Sequence, residues 1–156
     1  MAKKPLEAME ALADNEVVIS RIYTLFSERF PEHRDFWAEM AREELQHADM
    51  IRSLLPDVKD GTVRLDSKGL DETSIGMFRD YLKASLARAK EQDIQLKDAF
   101  ETALAIEHDL IERRFFDLFE VDAEELALIL EGLASATREH HRRLVNAVEK
   151  SGQSPE

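Results

Sequence analysis

The sequence predicts an all-α fold: a four-helix bundle with a long crossover connection that contains a short extra helix. Three observations predict it. Apolar residues recur every three or four positions over most of the chain. Only five glycines and four prolines are present to interrupt that pattern. The interruptions that do occur fall between long stripes, where a bundle has to turn. At 156 residues the chain reads as one domain over 1–156, long enough to bury a substantial core.

The first helix is expected from Pro5 to Phe30, with Met9, Leu12, Ala13, Ile19, Tyr23, Phe26 and Phe30 on its apolar stripe. Pro5 suits a first turn, where a missing N–H costs nothing, and Pro31 ends or sharply bends the helix. A second stripe through Phe36, Trp37, Met40, Ala41, Ala48, Ile51, Leu54 and Leu55 stops at Pro56. Residues 57–71 are polar, hold two glycines and lack a stripe, so they are read as a crossover loop. Asp71 to Ser74 offer N-caps for a shorter helix to about residue 91, with Ile75, Phe78, Tyr81, Leu82 and Leu86 on its face. The third long helix runs from about Asp93 to Phe119. The last, capped by Asp122, carries Leu126, Ile129, Leu130, Leu133, Leu144 and Val148. The tail 151–156 is expected to fray. Tight turns make each long pair antiparallel, and the crossover sets the second pair beside the first.

Composition excludes several classes of function. With 33 acidic against 21 basic residues the formal charge is −12, a sign that repels nucleic acid and anionic membranes. No cysteine is present, which removes disulfides, thiol catalysis, iron–sulfur clusters and zinc ribbons. The start, MAKKPLEAMEAL, has no continuous apolar run and reads as neither a signal peptide nor a membrane span, so a cytoplasmic protein is expected.

The informative positions are those where a stripe is broken by a side chain that is expensive to bury. Glu16 lies between Ala13 and Ile19, and Glu44 and His47, three apart and on one face, lie between Ala41 and Ile51. Glu107 lies between Ala103 and Leu110, and His140 between Leu133 and Leu144. A buried carboxylate costs several kcal/mol unless it is paired or bound to metal. Glu16 is 15 residues before Pro31 and Glu44 is 13 after it, a difference in height of only ~3 Å along the bundle. Glu107 and Thr137 stand at matching depths in the second hairpin. Acids from separate helices at one level point to a shared cation; pairing with arginine is the alternative, and for the histidines a core role.

The run Asn15-Glu16-Val17-Val18 with Tyr23 seven residues after Glu16, then Ala41-Arg42-Glu43-Glu44-Leu45-Gln46-His47-Ala48, resembles the first half of a rubrerythrin-type ferritin-like domain. Ala105-Ile106-Glu107-His108-Asp109-Leu110-Ile111-Glu112 resembles the start of the second half. In that family each half supplies a lone Glu and a Glu-x-x-His, and the six residues hold two irons. The resemblance implies Glu16, Glu44, His47, Glu107 and His140 as metal ligands, with Tyr23 bonding a ligand carboxylate. It implies iron as cofactor, O2 or peroxide as oxidant, a carboxylate shift at Glu16 and Glu44 as charge rises, and a homodimer. Manganese or zinc would also suit a donor set without thiolate.

The chain departs from the family pattern at Thr137, which stands where the second bridging Glu belongs. Glu139 is about 200° further round the helix and reads as a solvated charge paired with Arg143. Arg114, seven residues after Glu107, brings a cation towards the second half-site. Either two ions bind with an added anion or a swinging Glu112, or one binds tightly at Glu16, Glu44 and His47 and another weakly near Glu107 and His140. No cysteine-based electron-transfer domain is present, so an external electron donor is expected. The competing reading is a ferritin-like metal-binding or interaction module without redox turnover.

Overall fold

A computed structural model describes residues 3–61, 63–65, 72–113, 119–121 and 124–152. Helix α1 spans Lys3–Arg29, and a 3-10 turn at Pro31–His33 leads into α2, Arg34–Ser53. Then follow α3 (Leu55–Lys59), β1 (Val63–Leu65), α4 (Glu72–Ala89), α5 (Leu96–Arg113), β2 (Phe119–Val121) and α6 (Glu124–Ser151).

Residue pairs fix the directions. Arg52 donates to Asp14 at 3.0 Å and the Ser20 hydroxyl to the Ala41 carbonyl at 2.9 Å, so α1 and α2 are antiparallel. Trp37 packs on Phe100 while Glu44 meets Glu107, so α2 and α5 run parallel. That parallel step requires a connection as long as the bundle, which α3, β1 and α4 provide, with α4 laid against α1. The core between the helices is aromatic at one end: the ring of Trp37 lies 5.0 Å from Phe26 and 5.5 Å from both Tyr23 and Phe100.

Of the loop expected over 57–71, residues 57–59 lie in α3 and 63–65 in β1, while 62 and 66–71 lie outside the described residues. Pro56 stops α2 but then serves in the first turn of α3, where it has no N–H to lose. Gly61, at φ +88°, turns the chain towards β1. β1 pairs antiparallel with β2, Val63 opposite Val121 and Leu65 opposite Phe119. Three-residue strands carry no periodicity to read, and their pairing joins segments as far apart in sequence as Val63 and Val121. The expected third helix, from about Asp93 to Phe119, is observed as α5 over Leu96–Arg113; residues 114–118 lie outside the described residues, and Phe119 belongs to β2. Its start at Leu96 is set by Asp98, whose carboxylate accepts the Gln95 N–H at 2.9 Å. α6 continues to Ser151, with Gly152 at φ +80° behind it; the rest of the expected frayed tail lies outside the described residues. Among the described residues no helix is long and apolar enough to cross a membrane.

Candidate metal centre

Four helices bring their interrupted stripes to one level. Glu16 from α1, Glu44 and His47 from α2, Glu107 from α5 and His140 from α6 are all buried, as is Tyr23 beside them. Two groups of three could each hold a metal ion: Glu16, Glu44 and His47, and Glu44, Glu107 and His140, the donor atoms of each within 4.8 Å of one another. Glu44 belongs to both. The i, i+3 spacing on α2 that put Glu44 and His47 on one face is observed as a 3.4 Å contact between Oε2 and Nδ1. The rings of His47 and His140 stack at 5.3 Å.

The hydrogen bonds around the cluster are asymmetric. Tyr23 donates to Glu107 Oε1 at 2.9 Å, the role that the sequence resemblance implies for it. His140 Nδ1 lies 2.8 Å from Glu44 Oε1 and 3.5 Å from Glu107 Oε1. The second oxygens of Glu16, Glu44 and Glu107 are buried without a hydrogen-bond partner. Among the described residues no lysine or arginine forms an ion pair with these three acids. Buried carboxylates gathered with two imidazoles, three of their oxygens without a hydrogen-bond partner and no thiolate among them, fit a divalent cation of the iron, manganese or zinc type.

Electrostatics follow from the same crowding. Burial, then the charge of Glu44, pushes the Glu16 carboxyl well above its ordinary range, and the same two causes push Glu107 up to about 8. Burial also opposes the charge on Glu44, but its close contacts with Glu16, His140 and His47 outweigh it and hold that carboxyl well below the usual value. For His140, burial disfavours the cation, yet its bonds to Glu107 and Glu44 push it up to about 11. Burial and the Glu107 charge push the Tyr23 phenol well above its ordinary value. Without an ion, protons on Glu16, Glu107 and His140 thus offset the charge that a metal would neutralise.

Thr137 is buried at the position of the expected fourth carboxylate, and its hydroxyl is turned back onto the Leu133 carbonyl at 3.0 Å. It offers nothing to the cluster. The expected Glu139–Arg143 pair is observed as a 4.0 Å contact on an exposed Glu139; Glu139 bonds more closely to Arg142, and Arg143 turns its terminal nitrogens to Glu43 on α2, where both oxygens of a carboxylate are available to it. Sequence reading missed Glu43 and Arg143 as neighbours of the centre. Their only signal was opposite charge, and nothing in a sequence says which faces of α2 and α6 meet. His33 is half-buried, its ring edge-on to Phe100 at 6.1 Å, and His108 is exposed. Arg114 and the side chain of Glu112 lie outside the described residues, with the expectations that rest on them.

Comparison with known proteins agrees with this geometry. The sequence model of the Rubrerythrin family matches residues 7–122. No curated protein and no solved structure gives a significant match. The match ends before α6, so the places of Thr137 and His140 rest on the fold itself. It takes in α1, α2 and α5, which between them supply Glu16, Glu44, His47 and Glu107, and on that stretch, well over half its length, the chain belongs to the rubrerythrin family.

Proposed function

We propose that this chain is a rubrerythrin-like iron-binding protein whose interior site holds iron, as a pair or as one tight and one weak ion, for O2 or peroxide reduction or for iron handling. The observation that carries the reading is the set of three buried glutamates from three helices, each with an oxygen left without a partner. Removing them from water is tolerable if a cation completes them. Ferrous iron bound there would supply the electrons for the oxidant, and an external donor would restore them, since the chain holds no cysteine for a redox centre of its own.

The protein's own contribution is to hold and orient. Glu16 and His47 define one end of the site, Glu107 and His140 the other, and Glu44 joins them. Tyr23 pins Glu107 by one oxygen and leaves the other free to ligate. The Trp37, Phe26 and Phe100 rings exclude water from the side facing the Pro31 turn, which strengthens every charge interaction inside. Binding of an ion displaces the protons held on Glu16, Glu107 and His140. The exposed faces of Met77 and Tyr81 on α4 would serve a homodimer contact, and a molar mass of two chains in light scattering is the expected result.

Anaerobic titration with ferrous iron, followed by O2 or peroxide, tests this function. Two ions taken up and oxidised on mixing support the enzyme. One or none, without ferroxidase or peroxidase turnover, supports the second reading: a ferritin-like metal-binding or interaction module without redox turnover. Thr137 favours that second reading, because three carboxylates leave two ferrous ions short of neutrality. Glu44→Ala separates both from a plain scaffold: it should abolish any iron-dependent rise in Tm, whereas in a scaffold it would leave Tm unchanged or raised with iron and with chelator alike.

A further inference from the structure

Glu43 has no place in either group of candidate ligands, yet it is the most tightly held acid near them. It precedes Glu44 on α2 and is turned from it by about 100°, onto the seam with α6. Its Oε1 lies 2.9 Å from His140 Nε2. Arg143, from the next turn of α6, grips the same carboxylate with both terminal nitrogens: Nη1 donates to Oε2 at 3.1 Å and Nη2 donates to Oε1. A carboxylate held in that fork is ionised and only accepts, so the proton between it and His140 sits on Nε2. Nδ1 is then the nitrogen turned to Glu44 and Glu107, at 2.8 and 3.5 Å.

We infer that Glu43, clamped by Arg143, is a positioning residue that fixes the ring and tautomer of His140, and so presents Nδ1 to an ion shared with Glu44 and Glu107. The inference rests on the metal-site reading above. It also gives position 137 a counterpart. The acid that α6 lacks at Thr137 is offset by one that α2 supplies behind the histidine, where it makes Nδ1 a stronger donor instead of ligating directly. Partners of this kind, behind a ligand histidine, are worth roughly 10- to 100-fold in metal affinity.

The test compares the full chain with Glu43→Ala and Glu43→Gln, using Co2+ as the probe in chelator competition and 15N-resolved NMR of the imidazoles in metal-free protein, where His140 carries both ring protons and the Nε2 proton reports its bond to Glu43. In Glu43→Ala the weaker ion should lose roughly 10- to 100-fold in affinity, while the ion at Glu16, Glu44 and His47 is unchanged. The hydrogen-bonded Nε2 proton signal of His140 should disappear. Glu43→Gln, whose amide oxygen still accepts, should keep the signal and most of the affinity; this rescue separates positioning from a general loss of folding. Equal weakening of both ions, no change in either, or an unaltered Nε2 proton signal in Glu43→Ala overturns the inference. A wild-type chain that takes up no Co2+ ends the metal-site reading and with it the ion assigned to His140. In that case the Nε2 signal alone decides whether Glu43 holds the ring.

Discussion

A single residue, Thr137, divides this centre from a symmetric one. Its hydroxyl is satisfied by the Leu133 carbonyl one turn back, so no polar group is stranded by the loss of a carboxylate there. Thr137→Glu should add a fourth buried acid, costing about 3–5 kcal/mol in chelator and raising the affinity for the second ion tenfold or more. Chemical denaturation with and without Co2+ measures both, and a variant as stable as wild type in chelator would contradict the burial argument. The titrating groups make a separate prediction for metal-free protein. Glu16 and Glu107 hold protons more tightly folded than unfolded, so their contribution is complete below about pH 4.5 and declines as the pH climbs, for Glu107 through about 8. His140 acts with the same sign between 6.5 and about 11, and Glu44 with the opposite sign below 4.5. The urea midpoint in chelator should therefore peak in weak acid and fall steadily to pH 8. A midpoint that rises over that interval would show the acids to be ionised and otherwise compensated.

At the scale of the element, α1 and α2 are joined by more than apolar area. The Ser20 hydroxyl reaches the Ala41 carbonyl just beyond the level of Glu16 and Glu44, which fixes the vertical offset of the two helices where the ligands must meet. Ser20→Ala should cost about 1 kcal/mol in stability and weaken metal binding with it. A loss of stability with unchanged Co2+ affinity would confine Ser20 to the scaffold. Trp37, with four aromatic partners, anchors the other end of the same hairpin, and Trp37→Ala should cost about 3–5 kcal/mol, read as a shift in the denaturation midpoint. The long helices were legible because each turn repeats the same burial choice, so a stripe of seven or eight residues gives the same answer many times over. The β1–β2 ribbon was not, because its two strands are three residues long and each needs the other to exist.

For the whole molecule, an ion held by the buried cluster would couple metal binding to folding. Divalent ions should raise Tm and release protons, and an unbuffered titration reads that release directly; uptake without acidification would mean that Glu16, Glu107 and His140 were not holding protons beforehand. The sequence by itself determined the number and order of the long helices, the turns at Pro31 and Pro56, and the five side chains that break the stripes. Those are local facts, written at 3.6-residue spacing along one helix. Packing between helices settles that Glu44 belongs to both groups of candidate ligands, that Tyr23 bonds Glu107, and that Arg143 reaches past Glu139 to Glu43 behind His140. Each depends on how one helix is rotated against another, an angle set by packing across the core and carried by no single stretch of chain.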